Sequence, residues 1–208
     1  MTASLRDDIL RSLRAKIDEI LIPLIAGHER HICLIDSPTH GNVGDSAILL
    51  GELDFIARRF PGSQVSFFDL ESYSSGADRF IEQSSVILIN GGGNFGDLWP
   101  RHHELRLQIL ERFPHKRIIQ CPQSINFSKA DAMTATAEMI ARQSDFNLLV
   151  RDHNSLAVAR ESFYCAVSLV PDMAFYMRPL QRLPAAADWL CLLHADKEAA
   201  ADHDRIIN

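Results

Sequence analysis

Two short glycine-rich segments of this sequence also carry residues that could bind or protonate a ligand. They are residues 37–46, SPTHGNVGDS, and residues 90–97, NGGGNFGD. Glycine permits positive φ and a close approach of a ligand to the backbone, so main-chain N–H groups could hold an anion or a sugar. One such segment alone could simply be a tight strand-to-helix turn. Two favour a ligand site, and neither matches GxGxxG or the Walker A motif.

Acidic, imidazole and indole side chains follow these segments. Asp45 and Asp97 each close a glycine segment where a helix should begin, so each could cap that helix, orient a sugar hydroxyl or act as a base. His102 and His103 come one turn into the next predicted helix, beside Trp99. Histidine can donate a proton near neutral pH, and an indole can stack on a sugar ring. Two solvated surface histidines are the alternative.

Further polar residues stand at the ends of later apolar runs. Arg151 closes one run, where its guanidinium could clamp a phosphate or carboxylate, or form a salt bridge with Asp152 or another acidic side chain. Gln123 follows another run, in the predicted loop 122–126. Asp172 follows the last, where it could close a crevice or cap a turn. The ends of several strands therefore carry the candidate chemistry.

The elements that must position these residues form a regular alternation of apolar runs and helical patterns. The predicted strands are 32–35, 65–70, 86–90, 118–121, 148–151 and 168–170, and the predicted helices are 45–59, 100–112, 128–143 and 153–162, with 71–84 ambiguous. Such alternation predicts an α/β, Rossmann-like, mainly parallel sheet flanked by helices. Ligands of such sheets bind beyond the carboxyl ends of the strands, where the polar segments lie.

Three further segments complete the predicted organisation. Residues 1–27 form a leading amphipathic helix, which we expect to pack against the domain rather than lie on a membrane, and Gly27 can end it. We expect one Rossmann-like domain over 1–177 and a linker at 178–188. Residues 189–208 are predicted to form the first strand and helix of an incomplete second domain.

Composition narrows the function classes. The 208 residues carry 21 basic and 27 acidic side chains, a net charge of −6, so no strong positive field favours nucleic acid. No apolar stretch approaches the roughly 20 residues of a membrane span, and charges interrupt the N-terminus, so we expect a cytoplasmic protein. Four cysteines show no metal-binding spacing, so we expect reduced, structural thiols and no metal site.

Taken together, these segments resemble the polysaccharide pyruvyl transferase family. The match rests on HGNVGD at 40–45, GGGNFGDLWP at 91–100 with His102, PQS at 122–124, VRD at 150–152 with Ser155, and VPD at 170–172, in the family's order. The resemblance implies the N-terminal half of a two-domain fold similar to GT-B glycosyltransferases, with the active site between the domains. It also implies transfer of the pyruvyl group of phosphoenolpyruvate to a sugar, as a ketal, without a further cofactor.

The resemblance assigns roles to individual residues. His102 matches a histidine expected to act as acid or base, and Arg151 an arginine that meets the anionic groups of the donor; with Asp97 they are the candidate catalytic residues. The candidate substrate-binding residues are His40, Gly41, Asn42, Gly44, Asp45, Gly92, Gly93, Asn94, Trp99, Gln123 and Asp172. The implied acceptor is a lipid-linked oligosaccharide or growing polysaccharide at the inner face of the membrane, where the protein could associate peripherally.

Length is the departure from the family, whose members carry a second domain of comparable size. We expect the chain to be either a fragment or a naturally short form. Two other functions stay open at this stage: a GT-B-like glycosyltransferase that uses a nucleotide sugar, and a non-catalytic half-domain that binds a glycan or a partner. A homo-oligomer through a sheet edge or the leading helix is left open as well.

Overall fold

Strands and helices alternate along the part of the chain that the computed structural model describes, residues 3–39, 41–73 and 76–180. The helices are α1 (Ala3–Ile25), α2 (Val43–Arg59), α3 (Asp78–Gln83), α4 (Pro100–Arg112), α5 (Ala130–Ala141) and α6 (His153–Ser162). The strands are β1 (His31–Ile35), β2 (Gln64–Phe68), β3 (Val86–Ile89), β4 (Gly92–Phe95), β5 (Arg117–Ile125), β6 (Asp145–Val150) and β7 (Ala166–Leu169), and a 3₁₀ helix covers Met173–Tyr176.

The strands form one parallel sheet in the order β2-β1-β3-β5-β6-β7, and β4 pairs with β5. The predicted α/β fold with a mainly parallel sheet is therefore confirmed. Because β1 lies between β2 and β3, the direction of strand addition reverses at β1 and β3. Ligands of open α/β sheets bind at such a reversal, beyond the carboxyl ends of the strands.

Apolar side chains cover both faces of the sheet. In β1, Ile32 and Leu34 join a buried cluster with Ile17 of α1 and Phe55 of α2, and the alternate residues join a second cluster with the apolar faces of α4, α5 and α6. Adjacent residues of a strand point to opposite faces, so a continuous apolar run fits a strand that is covered twice. This is the burial that the sequence pattern predicted.

Two segments predicted as loops belong to the sheet. After β3 the chain turns aside at Asn90 and Gly91 and then pairs again with the end of β5, so that residues 92–95 form β4. Residues 122–124 lie within β5, which continues to Ile125. Glycine has low strand propensity, so local sequence could not indicate β4, and pairing with β5 determines it. The ambiguous region 71–84 contains the short helix α3.

The leading helix α1 packs through its second half. Ile17, Leu21 and Ile25 are buried, whereas Leu5 and Ile9 are exposed, and Gly27 follows with φ of +84°. Among the described residues, no helix has both the length and the apolar character needed to cross a membrane. Apart from 178–180, the predicted linker and the unit predicted from 189 lie outside the described residues and stay predictions.

The 3₁₀ helix lies directly on α2. A Cβ placed on Gly51 would be 1.8 Å from the carbonyl oxygen of Met173, so only glycine allows this approach. The chain beyond is fixed to the same helix, because the backbone N–H and Nε of Arg178 each donate to the Asp54 carboxylate at 2.6 Å. Asp172, a candidate site residue, caps the 3₁₀ helix by accepting from Ala174 N at 2.8 Å. The packing of the 3₁₀ helix on α2 therefore positions Asp172.

Gly51→Ala is expected to destabilise the protein. Alanine in a helix interior normally gains about 1 kcal/mol over glycine, but the clash with backbone at this site should reverse the sign and cost roughly 1–3 kcal/mol. Urea unfolding measures the change. Gly62→Ala is the matched control, because a Cβ there would have no neighbour within 4 Å. A stabilised Gly51→Ala protein would contradict the described packing.

Candidate active site

The loop after β1 starts the site by beginning α2. Asn42, and not Asp45, is the N-cap residue: its Oδ1 accepts from Gly44 N at 2.8 Å and from Asp45 N at 3.4 Å. Asp45 therefore lies inside the first turn, where a carboxylate is stabilised by the helix dipole. Gly41 is exposed with open space beside it. His40 lies outside the described residues.

Side chains from other elements converge on β4. A Cβ placed on Gly92 would lie 3.5 Å from Asp45 Oδ1, and one on Gly93 would lie 3.5 Å from Nη2 of Arg151. The next residue, Asn94, is hydrogen-bonded to a buried carboxylate. A strand rises about 3.3 Å per residue, so these three contacts fall within roughly 10 Å along one strand. Among the described strands β4 pairs with β5 alone, so its other edge has no strand partner at the reversal point.

The buried carboxylate is that of Asp36, the residue directly after β1. Its side chain is 3% exposed, and its φ is +66°. Oδ1 lies 2.7 Å from His102 Nδ1, and Oδ2 accepts from Asn94 Nδ2 at 3.0 Å. Nη2 of Arg106 lies 4.0 Å from the same Oδ2. Asp36 thus joins the predicted residues His102 and Asn94 in one network.

Arg106 supports this network from inside the protein. Its side chain has no exposure, and the guanidinium donates from Nη2 to Asn94 Oδ1 at 2.8 Å and from Nε to Gln120 Oε1 at 2.6 Å. The guanidinium carbon lies 4.8 Å from the centre of the Phe95 ring. Burial lowers the pKa of Arg106 to about 10, against the effect of the Asp36 charge. Arg106 is therefore charged at neutral pH.

Gln123 is buried beneath the same strand. Its Nε2 donates to the carbonyl oxygen of Asn90 at 3.0 Å and to Asn94 Oδ1 at 2.9 Å. The Gln120 amide likewise donates to the Asn90 carbonyl oxygen at 3.0 Å. These bonds satisfy backbone groups that the break between β3 and β4 leaves without ladder partners. Gln123 thus contacts Asn94 from below; its predicted contact with substrate stays a prediction.

Arg151 is held at the other side of β4. Its Nε donates to Ser124 Oγ at 2.9 Å, and its Nη1 donates to Asp172 Oδ2 at 2.6 Å, while Nη2 faces Gly93. The predicted salt bridge of Arg151 is therefore formed with Asp172. Asp152 accepts from Ser124 Oγ at 2.8 Å and caps α6. The Arg151 side chain is 29% exposed, so the guanidinium is fixed yet reachable.

Asp97 and Trp99 lie on the segment between β4 and α4. The Asp97 carboxylate accepts from Ser128 N and Lys129 N, both at 2.8 Å. These hydrogen bonds keep the pKa of Asp97 below its ordinary value, and the bond from the Ser128 backbone has the largest effect. Asp97 thereby orders the chain before α5, and its catalytic role stays a prediction. Trp99, at the N-cap position of α4, is half-buried.

The two adjacent histidines have different environments, and neither is a fully solvated surface residue. The His102 side chain is 19% exposed and contacts Asp36. His103 is buried, with Nε2 2.9 Å from Thr136 Oγ1 and its ring against Phe95. Burial lowers the pKa of His103 to about 4, so this ring is neutral at pH 7. His102 therefore belongs to the site and His103 to the core.

A buried acid lies under the start of the glycine segment. Glu52 of α2 accepts from Gly91 N at 2.9 Å through Oε1, and it is 1% exposed. Burial raises the pKa of Glu52 to about 8, so the group is mostly protonated at pH 7. It holds the Gly91 amide without adding a charge next to Asp36 and Asp172, whose carboxylates also act to raise this pKa.

The cysteines behave as apolar core residues in the described part of the chain. Cys33 and Cys121 are buried and Cys165 is half-buried. Burial raises the pKa of Cys33 to about 12 and that of Cys165 to about 11, so these thiols stay protonated. Among the described residues, no group of three or more His, Cys, Asp and Glu side chains is placed to hold a metal ion.

Sequence reasoning missed Asp36, Glu52, Arg106 and Gln120. Helical spacing carried two usable signals, because Arg106 follows His102 by four residues and Glu52 follows Asp45 by seven, which puts each pair on one helix face. Asp36 directly follows the first predicted strand, where site residues are expected. For Gln120, inside an apolar run, the sequence carries no comparable signal.

The sequence of this chain is similar to proteins of a known family. A family model described as polysaccharide pyruvyl transferase matches residues 42–207. The chain is 31% identical over 171 residues to "Putative pyruvyl transferase EpsO" of Bacillus subtilis, covering 81% of this chain and 51% of that protein. It is 29% identical over 188 residues to "Pyruvyl transferase 1" of Schizosaccharomyces pombe, covering 84% and 46%. It is 27% identical over 187 residues to "General stress protein 30" of Bacillus subtilis, covering 86% and 54%. The chain spans about half the length of these curated relatives.

Arg106→Ala is expected to cost roughly 3–5 kcal/mol in the free energy of unfolding, because it leaves the Asp36 carboxylate buried without its cation. Arg101→Ala, on the same helix, is the control. Arg101 pairs with Glu71 on the surface, and its removal should cost less than about 0.5 kcal/mol. Chemical denaturation of both variants gives the comparison, and equal losses would contradict the buried network.

Glu52→Gln is expected to change how stability depends on pH. Folding raises the pKa of Glu52 from its ordinary value of 4.5 to about 8, so the folded protein keeps a proton that the unfolded chain has already lost. The free energy of unfolding therefore falls as the pH rises toward 8. Glutamine stays neutral and can still accept from Gly91 N. Between pH 6 and 9 the variant should therefore gain roughly 2–3 kcal/mol relative to the wild type.

Urea unfolding at several pH values measures this difference. Glu138→Gln, an exposed position on α5, is the control and should track the wild type throughout. A constant difference between Glu52→Gln and the wild type across this range would show that Glu52 is not protonated in the fold.

Proposed function

Because the chain belongs to the polysaccharide pyruvyl transferase family, we propose that it supplies the phosphoenolpyruvate-binding part of an enzyme that attaches pyruvate to a polysaccharide sugar as a ketal. The observation that carries this proposal is the set of side chains that meet successive residues of β4 at the sheet's reversal point: Asp45 lies beside Gly92, Arg151 lies beside Gly93, and His102 is linked to Asn94 through Asp36. A fixed cation, an imidazole and a carboxylate beside a glycine-rich backbone segment are the groups that such a transfer requires.

The donor has two anionic ends, a carboxylate and a phosphate. Arg151 is the partly exposed cation next to β4, and Ser124 and Asp172 orient its guanidinium so that Nη2 faces Gly93. In our proposal this nitrogen binds one anionic group of phosphoenolpyruvate, and backbone N–H groups of the glycine segments bind the other. Donors held in place before the reaction stabilise developing charge without reorganisation.

The proposed reaction replaces one C–O bond of the donor by two bonds to the sugar. A proton adds to the methylene carbon, and a sugar hydroxyl attacks the cationic carbon that results, losing its own proton. The bond to the phosphate oxygen then breaks, phosphate leaves with the electron pair, and a second hydroxyl attacks and loses its proton. Phosphoenolpyruvate and a diol thus give the ketal and phosphate, with atoms and charge balanced.

His102 is the proposed acid–base group. An imidazole can accept a hydroxyl proton and return one to the donor within one cycle. Asp45, whose carboxylate lies beside Gly92, is proposed to orient the attacking hydroxyl. Trp99 is proposed to contact the sugar ring.

The acceptor in this proposal is a sugar of a lipid-linked oligosaccharide or growing polysaccharide at the cytoplasmic face of the membrane. The half of the curated relatives that the chain does not match is proposed to complete the acceptor side. No cofactor beyond phosphoenolpyruvate is proposed.

His102→Ala and Arg151→Ala are each expected to lower phosphate release from phosphoenolpyruvate, with acceptor present, by roughly 100-fold or more. Arg151→Ala should also raise the KM for phosphoenolpyruvate, because it removes a contact with the donor. His115→Ala is the control, since His115 is exposed and pairs with Glu82 away from β4. A phosphate assay on the full-length protein measures all three.

Near-normal rates in both site variants would overturn the assignment. Tight binding of a uridine nucleotide, with no response to phosphoenolpyruvate, would instead favour the nucleotide-sugar glycosyltransferase.

A further inference from the structure

Asp36 is held by donors on every side that the structure describes. Oδ2 accepts from Asn94 Nδ2 at 3.0 Å and lies 4.0 Å from Nη2 of Arg106, whose side chain is fully buried. Oδ1 lies 2.7 Å from Nδ1 of His102. An amide donor and a buried guanidinium both face this carboxylate, and a carboxylate oxygen can only accept a hydrogen bond.

The protonation of the His102 ring follows from this contact. Because Asp36 Oδ1 can only accept, Nδ1 of His102 must carry a hydrogen, and in the neutral ring Nε2 is then the acceptor nitrogen. His103 is arranged in the opposite way. The Thr136 hydroxyl donates its single hydrogen to the Ala132 carbonyl oxygen at 2.8 Å, so its oxygen accepts from Nε2–H of His103. Two adjacent histidines are therefore held in opposite tautomers.

The backbone conformation of Asp36 also indicates that this residue has a functional role. Among the described residues, it is the one non-glycine position with positive φ, at +66°. A left-handed conformation costs an ordinary residue roughly 1–2 kcal/mol, although Asp and Asn tolerate it better than most. Glycine would avoid this cost, but it has no carboxylate. Outliers of this kind concentrate at functional sites, where the surrounding structure holds them.

We infer that Asp36 is a positioning residue for the reaction proposed above: it holds His102 with Nδ1 protonated and Nε2 as the nitrogen that exchanges protons with substrate. Arg106 and Asn94 in turn hold the Asp36 carboxylate in place. The catalytic part of this inference rests on the proposed function. The assignment of the His102 tautomer does not rest on the proposed function, because it follows from the hydrogen bond between Asp36 and His102.

Asp36→Asn tests the inference with little change in shape or backbone preference. Asn94 and Arg106 both present donors to Oδ2, so the amide oxygen of the variant should turn toward them. Its NH₂ group would then face Nδ1 of His102 and donate to it, which forces the hydrogen onto Nε2. The variant should therefore show the opposite His102 tautomer, with His103 unchanged.

Two-bond ¹H–¹⁵N correlation spectra of the full chain measure both rings, at a pH where imidazole is neutral. The wild type should show His102 as the Nδ1–H tautomer and His103 as the Nε2–H tautomer. In Asp36→Asn, His102 should switch and His103 should keep its shifts, which also reports that the core is intact. A wild-type His102 with its hydrogen on Nε2 would overturn the inference by itself, whether or not the variant folds. A folded variant in which His102 does not switch would overturn it as well.

Steady-state kinetics with phosphoenolpyruvate and acceptor test the catalytic part. A wrong tautomer in a comparable acid–base pair lowers kcat by about 10⁴-fold, so Asp36→Asn should lose roughly 10²–10⁴-fold in kcat with an almost unchanged KM for phosphoenolpyruvate. An unchanged kcat would overturn the positioning role. A wild type that releases no phosphate, while showing the expected tautomers, would contradict the proposed function and leave the tautomer assignment standing.

Discussion

The site depends on one electrostatic constraint: a guanidinium without exposure, that of Arg106, lies beneath the reversal point of the sheet and must be neutralised and hydrogen-bonded there. Burying an uncompensated charge costs several kcal/mol, so every partner of Arg106 is held to its position. Gln120 and Asn94 accept its hydrogens, Asp36 supplies the opposite charge, and Phe95 lies under the guanidinium plane.

This constraint explains how a glycine-rich segment without its own conformational preference becomes ordered. β3 and β4 both pair with β5, one after the other along the chain. The break between them leaves the carbonyl groups of Ile89 and Asn90 inside the protein without partners from a neighbouring strand. Gln120 and Gln123 donate to those carbonyls, and the protonated Glu52 accepts from Gly91 N. The polar residues of the interior thus place the next three residues, 92–94, where the outer side chains meet.

Hydrophobic patterning was sufficient to predict the sheet, the helices that flank it and the edge where polar loops gather. It was not sufficient for β4, because glycine has no patterning and the strand exists only through its pairing with β5. Residue type identified His102 and Arg151, but their partners, Asp36 and Asp172, are 66 and 21 residues away in sequence. Such long-range pairs cannot be inferred from local spacing. Gln120 was missed because, within an apolar run, it looks like any other strand position, whereas helical spacing could have indicated Arg106 and Glu52.

We propose that this site transfers pyruvate from phosphoenolpyruvate to a sugar. The decisive measurement is mass spectrometry of a lipid-linked oligosaccharide that has been incubated with the full-length protein and phosphoenolpyruvate. The site described here predicts a product heavier by one pyruvate ketal, formed with one phosphate released for each ketal. An unmodified acceptor, or an acceptor that gains a hexose when a nucleotide sugar is supplied in place of phosphoenolpyruvate, would contradict it.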